Sequence, residues 1–167
     1  MLVMVIRRKQ LEIEKGIIGV ISDTHGLVRP EAMAALKGVE LIIHGGDIGK
    51  AEVLLSLSSI APVCAIRGNN DRDGWAKKLP DVLKLQINGV RVQVIHDVNE
   101  LESDPSAAGI HAVISGHSHK PTVIERDGVL FINPGSAGPR RFKLPVTVSK
   151  LRLGHKRVSA EIIELRI

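Results

Sequence analysis

The fold of this 167-residue chain is decided by the stretch Gly16-Ile-Ile-Gly-Val-Ile21, followed by Ser22-Asp-Thr-His-Gly26. The first part is a short apolar run rich in β-branched residues, which predicts a strand buried on both faces of a sheet. The second part places Asp23 and His25 in the loop at the carboxyl end of that strand. Because ligands of open α/β sheets bind at such strand ends, the stretch predicts an α/β domain and the position of its site.

Strands and helices alternate directly after this stretch. Pro30 opens a predicted helix that runs to Leu36, and Gly38 is placed to end it. The other elements predicted for the first half are strands at residues 39–43 and 62–66 and a helix at residues 51–59. These elements form two successive strand, loop and helix units.

In the second half, strands are predicted at residues 82–87, 90–95, 111–115, 121–126, 129–133, 146–153 and 158–167. Asn88-Gly89 and Asp127-Gly128 are turn dipeptides typical of hairpins. Parallel βαβ units followed by hairpins predict an α/β fold in which two mixed β-sheets pack as a sandwich flanked by helices.

Length and composition favour one globular domain. The chain is 44% hydrophobic and 25% charged, and no apolar run reaches the ~18 residues of a membrane span. We expect a single domain at residues 16–167, preceded by an N-terminal extension or extra strand at residues 1–15. The expected location is the cytoplasm, with no membrane partner. Cys64 stands alone in an apolar run and is expected to be a buried small hydrophobe.

The net charge of +5 arises near the C-terminus, where residues 140–167 hold 8 basic and 2 acidic groups. Such a bias favours phosphate-bearing ligands, although a solvated basic strand face is the commoner reason for a cluster of this size.

Seven side chains able to bind metal follow predicted strands, separated by about one strand and its connection: Asp23, His25, Asp47, Asn69, His96, His117 and His119. Neighbouring glycines let the backbone approach a metal or substrate closely. A single histidine is more often a hydrogen-bonded or solvated residue, but five motifs in order favour a metal site. Nitrogen and oxygen ligands without thiolate disfavour structural zinc and fit Mn²⁺, Fe, Zn²⁺ or Ni²⁺.

These motifs resemble the signature of calcineurin-like metallophosphoesterases, through Asp23-Thr-His-Gly, Gly46-Asp47, Gly68-Asn69-Asn-Asp71, His96 and Gly116-His-Ser-His119. Asn133-Pro-Gly-Ser136 with Pro139-Arg140 is similar to the small single-domain bacterial and archaeal phosphodiesterase branch. The resemblance implies two divalent ions, with Mn²⁺ favoured. One ion would be held by Asp23, His25 and His119, the other by Asn69, His96 and His117, and Asp47 would bridge them.

The implied reaction is phosphoester hydrolysis. Two ions can lower the pKa of a bridging water, and the resulting hydroxide would attack phosphorus in line, so no protein nucleophile is required. We expect a phosphodiesterase, with a phosphomonoesterase using the same site as the close alternative. The expected partner is a small phosphodiester or nucleotide-like substrate.

Three further residues join the candidate site with less defined roles. Asn70 stands where the family often has a histidine, and its amide can donate to a phosphoryl oxygen but is no useful general acid. His44 is either an orienting residue for Asp47, a phosphate contact or a strand-end histidine with its own hydrogen bonds. The role of Asp71 is left open in the same way. Asp97 replaces the glycine usual after the His96 equivalent, which leaves that loop's geometry less defined.

Arg140 and Arg141 follow the Asn-Pro-Gly-Ser loop and are candidates for binding a second phosphate or a nucleotide. His111 and His155 lie outside the motifs, and we expect both to be structural or solvated.

Two functions outside the enzyme class compete with hydrolysis. A catalytically weak metal-binding scaffold, as in the phosphoesterase-like subunit of retromer, is disfavoured because every ligand position is filled by a residue able to coordinate. Nucleic-acid binding is not expected, because only Trp75, Phe131 and Phe142 are aromatic and no binding motif is present. The sequence leaves oligomerisation open.

Overall fold

The computed structural model of the protein describes residues 10–167. The strands in this part of the chain are β1 (Gln10–Leu11), β2 (Ile17–Ile21), β3 (Leu41–His44), β4 (Val63–Ala65), β5 (Val82–Ile87), β6 (Val90–Ile95), β7 (Ala112–Ile114), β8 (Thr122–Arg126), β9 (Val129–Asn133), β10 (Thr147–Leu153) and β11 (Val158–Glu164). The α-helices are α1 (Pro30–Ala35) and α2 (Ala51–Ser58), and short 3-10 helices lie at Ala76–Lys78 and Val98–Glu100.

The strands form two mixed sheets. The five-stranded sheet has the order β11-β10-β2-β3-β4, in which β2, β3 and β4 are parallel and β10 is antiparallel to both of its neighbours. The six-stranded sheet has the order β1-β5-β6-β7-β9-β8, with β6, β7 and β9 parallel. The predicted α/β architecture of two mixed sheets is therefore confirmed.

A continuous apolar core joins the two sheets face to face. Ile18, Val20 and Ile43 enter it from the five-stranded sheet, and Val92 and Ile114 enter it from the six-stranded sheet. All five side chains are fully buried. Burial of each such side chain contributes about 1.5–3 kcal/mol to folding, so this layer is a major source of stability.

Both α-helices pack against the other face of the five-stranded sheet. Helix α2 buries Val53, Leu54 and Leu57. Leu54 and Leu57 lie one and four residues after Val53, so the three side chains share one face of the helix. Helix α1 begins at Pro30, whose missing N–H costs nothing at a helix N-terminus, and its core contact is Ala32. A membrane-spanning helix is absent from residues 10–167, where the longest α-helix has 8 residues.

The two predicted hairpin turns are present. Asn88 and Gly89 have φ angles of +49° and +79°, and Asp127 and Gly128 have +52° and +76°, as a two-residue type I′ turn requires. In the predicted N-terminal extension, β1 pairs in parallel with the edge strand β5, whereas residues 1–9 lie outside the described residues. Cys64 is buried in the core between the sheets, and burial raises the pKa of its thiol to about 12.

Candidate metal centre

The candidate site lies where loops from both sheets meet. Strands β2, β3 and β4 run parallel in one sheet, and β6 and β7 run parallel in the other, so the loops that leave their carboxyl ends gather at one edge of the sandwich. These five loops carry all seven predicted metal ligands.

The backbone of these loops is strained at the predicted ligands. Nine non-glycine residues of the described chain have positive φ, and five of them are predicted ligands, namely Asp23, His25, Asp47, His117 and His119. Left-handed backbone is uncommon for non-glycine residues and tends to persist where the surrounding structure enforces it for function. The strain therefore indicates that these side chains are held in positions that a relaxed loop would not give them.

The first group of ligand atoms comes from Asp23, His25 and His119. His119 Nε2 lies 3.3 Å from Asp23 Oδ1 and 3.5 Å from His25 Nε2. Asp23 and His119 are buried, whereas His25 is partly exposed. Burial lowers the pKa of His25, so its imidazole is held toward the neutral form that can bind metal.

The second group consists of Asp23, Asp47 and His96. His96 Nε2 lies 3.4 Å from Asp47 Oδ2 and 4.0 Å from Asp23 Oδ1. His96 Nδ1 is 2.8 Å from the Gly45 carbonyl, which only accepts, so Nδ1 carries the proton in this bond. In the neutral ring this leaves the Nε2 lone pair directed toward the carboxylates, the tautomer that a metal ligand needs.

Asp47 stands between the two groups. Its Oδ2 is 3.9 Å from His25 Nε2 and 3.4 Å from His96 Nε2. Its carboxylate also accepts from the Asn70 N–H at 3.0 Å and from Asn70 Nδ2 at 2.9 Å. Burial opposes ionisation of Asp47, but His96 and the two Asn70 donors outweigh it and hold the pKa of Asp47 well below its usual range. This is a position from which one carboxylate reaches both groups.

Without a metal, His96 is electrostatically coupled to these carboxylates. Burial alone would lower the pKa of His96, but Asp47, the Gly45 carbonyl and Asp23 together raise it to about 9. At 3.4 Å the contact between His96 and Asp47 is an ion pair rather than a directed hydrogen bond. A divalent cation bound here would replace the His96 proton as the positive charge next to the Asp47 and Asp23 carboxylates.

The donor set fits a metal. Four buried side-chain atoms in residues 10–167 have no hydrogen-bond partner, and two of them, Asp23 Oδ1 and His96 Nε2, face the ligand groups. Leaving such groups unpaired in a protein interior costs free energy that a bound cation would offset. The concentration of unpaired atoms here supports metal binding at both groups.

Asn69 and His117 lie at the open side of the second group. His117 Nδ1 donates to Asn69 Oδ1 at 3.2 Å, and the His117 ring packs edge-on against His96 with 5.2 Å between centroids. The His117 side chain is 45% exposed. The structure thus brings Asn69 and His117 next to His96, in contact with each other.

Asp97, which replaces a glycine of the family motif, fits its loop without strain. Its φ of −109° is accessible to any residue, and its Oδ1 accepts from the Asn99 N–H at 3.0 Å. Its Oδ2 lies 3.7 Å from His117 Nε2. The substitution therefore leaves the loop regular and adds a carboxylate beside His117.

Two glycines let the loops approach each other. A Cβ at Gly68 would overlap the Asp47 carboxylate, and a Cβ at Gly116 would overlap the side chains of Ser22 and Asp23. Any larger residue at either position would displace a predicted ligand.

His44 acts as a buried brace between loops. Its Nδ1 accepts from the Gly46 N–H at 3.1 Å, and its Nε2 is 3.0 Å from Thr24 Oγ1. Thr24 in turn donates to the Ile48 carbonyl at 2.9 Å. Of the three roles left open by the sequence, the geometry supports an orienting one for the loop that carries Asp47.

Sequence reasoning left the role of Asp71 open, and the structure assigns it to loop clamping. Its buried carboxylate accepts from the N–H groups of Ile48, Gly49 and Gly68 at 3.1, 3.0 and 2.9 Å. Ser136 was quoted only as part of the branch motif and was given no role, and in the structure its Oγ donates to the Asp23 carbonyl at 3.0 Å. The signal for Ser136 in the sequence was the Asn-Pro-Gly-Ser motif, which resembles the motif of the small phosphodiesterase branch.

The remaining residues considered from the sequence lie outside the two ligand groups. Arg140 and Arg141 are exposed, and the charge of Arg141 adds to the burial that lowers the pKa of His25. His111 Nδ1 accepts from the Arg91 N–H at 2.9 Å, and His155 is exposed in a turn. Neither histidine belongs to the two ligand groups.

The protonation of His44 should limit the acid stability of the metal-free protein. Burial lowers the pKa of His44 from 6.5 to about 4. The unfolded chain therefore takes up a proton near pH 6.5 that the folded chain takes up only near pH 4. This contribution is complete above pH 6.5 and is lost as pH falls toward 4, with a size of about 3 kcal/mol.

Urea unfolding of the metal-free protein between about pH 7 and pH 4.5 measures this loss. His44→Asn should have a lower unfolding free energy at neutral pH and a flatter dependence on pH in this range. An equally steep dependence in the variant would assign the acid sensitivity to other groups.

Comparison with known proteins agrees with the geometry. The sequence model of the calcineurin-like phosphoesterase superfamily domain matches residues 17–155. A probable metallophosphoesterase of Methanothermobacter thermautotrophicus is 36% identical over 159 residues, which cover 88% of this chain and 91% of that protein. The phosphodiesterase MJ0936 of Methanocaldococcus jannaschii is 30% identical over 137 residues, or 71% of this chain and 82% of that one.

Among solved structures, that of an archaeal phosphodiesterase superposes with a TM-score of 0.73 at 26% identity and covers 88% of this chain and 99% of its own. The resemblance drawn from the motifs is confirmed. The chain belongs to the calcineurin-like phosphoesterase superfamily and is thereby a phosphoesterase hydrolase of the metallophosphoesterase kind.

Proposed function

We propose that the protein is a phosphodiesterase that uses two divalent metal ions. The observation that carries the proposal is the pair of adjoining ligand groups, which share Asp23 and have Asp47 within 4 Å of a histidine of each. Asp23, His25 and His119 would hold one ion, His96, Asn69 and His117 the other, and Asp47 would serve both. Ions held by these residues would supply an acidified water as nucleophile and positive charge for the phosphoryl oxygens.

The chain's own contribution is to hold these groups in place. Asn70 fixes the Asp47 carboxylate through two donors, and the Gly45 carbonyl fixes the His96 tautomer. His44 braces the loop between them. Such preorganisation matters because groups that are already oriented need not reorganise during the reaction.

A diester is favoured over a monoester by the open side of the site. His117 is nearly half exposed and opens onto a cavity of about 670 Å³, so a second ester group has room beside the phosphorus. The name phosphodiesterase, carried by a similar sequence and by a similar solved structure, points the same way. Mn²⁺ is the ion we favour for the mixed carboxylate, imidazole and amide donors, with Fe, Zn²⁺ and Ni²⁺ as alternatives.

Metal restoration tests the proposal. Metal-stripped protein should hydrolyse neither bis(p-nitrophenyl) phosphate nor p-nitrophenyl phosphate, and addition of Mn²⁺, Ni²⁺, Zn²⁺ or Mg²⁺ in turn should restore activity, with a higher kcat/KM for the diester. A higher value for the monoester would favour a phosphomonoesterase with the same site. Stoichiometric metal binding without turnover would favour a metal-binding scaffold.

Leaving-group ability should control the rate, because Asn70 cannot transfer a proton. One N–H of its amide donates to Asp47 Oδ2 at 2.9 Å, and the other can donate to a phosphoryl oxygen but cannot protonate the leaving group. Across a series of aryl phosphodiesters, kcat should rise steeply as the pKa of the leaving phenol falls. Relative to Asn70→Ala, which lacks the same amide bond to Asp47, Asn70→His should accelerate the poorest leaving group by about tenfold or more and change the p-nitrophenyl ester little.

The control for this series is Asn70→Ala, which removes the bond to Asp47 without adding an acid. It should slow every ester by a similar factor. A wild-type rate that hardly varies with the pKa of the leaving phenol would mean that another group donates the proton.

A further inference from the structure

A cavity of about 670 Å³ extends from the second ligand group along the outer face of the six-stranded sheet. Asn69, His96 and His117 line its inner end, Lys84 of β5 and Gln93 of β6 form its floor, and the loop after β6 encloses it. Cavities of this size hold small-molecule ligands. A molecule bound at the second group would therefore continue into this space.

Two buried polar side chains contribute to the cavity lining. His96 is 6% exposed, and its Nε2 faces Asp47 Oδ2 at 3.4 Å, within the second ligand group. Gln93 is 8% exposed and lines the same space. The cavity is therefore continuous with the second ligand group through His96 and has a polar floor beyond it.

The charge of the cavity lining is negative. Arg67 is neutralised by Asp81, which accepts from its Nε at 2.6 Å and from its Nη2 at 3.1 Å. Lys84 remains as the other cation of the lining. Against it stand Asp97, Glu100 and Glu102, which come from one short segment on the enclosing loop. We call these three carboxylates the acidic wall.

Resting on the phosphodiesterase function proposed above, we propose that this cavity receives one ester arm of the substrate and that the acidic wall selects an uncharged, hydroxylated arm over a phosphorylated one. Carboxylates accept hydrogen bonds from sugar or polyol hydroxyls but repel a second phosphate. Selection by like-charge repulsion needs no tight contact, which suits the exposed carboxylates of Glu100 and Glu102. The substrate class is thus a diester of a nucleoside or polyol that carries no further phosphate.

Two esters that differ in one group test the selection. Thymidine 5′-(p-nitrophenyl phosphate) and its 3′-phosphorylated counterpart both release p-nitrophenolate, so the chemical step is matched. With Mn²⁺ restored, kcat/KM should be about tenfold lower for the 3′-phosphorylated ester, as expected for a dianion facing the exposed carboxylates of Glu100 and Glu102. The difference should shrink at high salt, because exposed charges are screened.

The variant pair is Glu100→Gln with Glu102→Gln, which keeps the size of both side chains. The tenfold discrimination should fall to about threefold or less. The matched control is Glu12→Gln with Glu125→Gln, which changes the net charge equally at exposed positions outside the cavity lining. The control should discriminate as the wild type does.

Binding without turnover separates this inference from the proposed function. Calorimetric titration of the metal-loaded protein with thymidine 5′-phosphate and thymidine 3′,5′-bisphosphate should show weaker binding of the bisphosphate, again by about tenfold in the wild type and not in the double variant. If that difference appears without diester hydrolysis, the proposed phosphodiesterase function is wrong, but the selection by the acidic wall is supported. Equal or tighter binding of the bisphosphate by the wild type would overturn the selection, even in an active enzyme.

Discussion

Asp47→Asn is expected to lower kcat/KM for bis(p-nitrophenyl) phosphate by about 10³-fold, because metal ions contribute several kcal/mol of charge stabilisation to such reactions. The substitution keeps the shape of the side chain. It removes the negative charge that lies 3.4 Å from His96 Nε2 and 3.9 Å from His25 Nε2. Since Asp47 reaches both ligand groups, metal content after reconstitution should fall from about two ions per chain to about one or fewer.

Kinetics with Mn²⁺ restored, together with metal analysis of the dialysed protein, measure both effects. Asp73→Asn is the matched control, because it makes the same chemical change at an exposed carboxylate on the loop after the Asn69 motif. The control should keep its activity and metal content. An Asp47→Asn variant with a full metal complement and activity within a few-fold of wild type would remove Asp47 from the metal-bridging role.

The sequence was sufficient for the fold because its signals were local and consistent. The apolar run 17–21 reads as a buried strand without any tertiary information, and Asn88-Gly89 requires a tight hairpin. Parallel strands then bring their carboxyl ends to one edge, which is why Asp23 and His96, 73 residues apart, could be expected in one site. The apolar strand runs and the turn dipeptides were therefore enough to predict the topology.

What the sequence could not show depends on contacts between loops. The sequence does not indicate that Asn70 donates to Asp47. It also does not indicate that the Asp71 carboxylate accepts from three backbone N–H groups. The acidic wall was equally hidden, because Glu100 and Glu102 are ordinary surface residues until β5 and β6 place a cavity beside them. Such roles arise from the packing of segments that are distant in sequence.

Asp71→Ala is expected to lower the free energy of unfolding by about 4 kcal/mol, because it leaves three backbone N–H groups without their charged acceptor. Two of these groups, on Ile48 and Gly68, belong to buried residues. The same bonds tie the loop of Asp47 to the loop of Asn69, so activity should fall as well. Asp71→Asn keeps one acceptor oxygen and should lose about half as much stability.

Urea unfolding of the metal-free protein is the decisive measurement, because it separates a loop clamp from a metal ligand. If Asp71 acted only through a bound metal, removing its carboxylate would cost little stability in the metal-free protein. Removing a clamp costs its hydrogen bonds whether or not metal is present. Asp104→Ala, which loses one exposed bond to the Ser106 N–H, should cost only about 1 kcal/mol. If Asp71→Ala costs no more than that control in the absence of metal, Asp71 acts on the metal rather than on the loops.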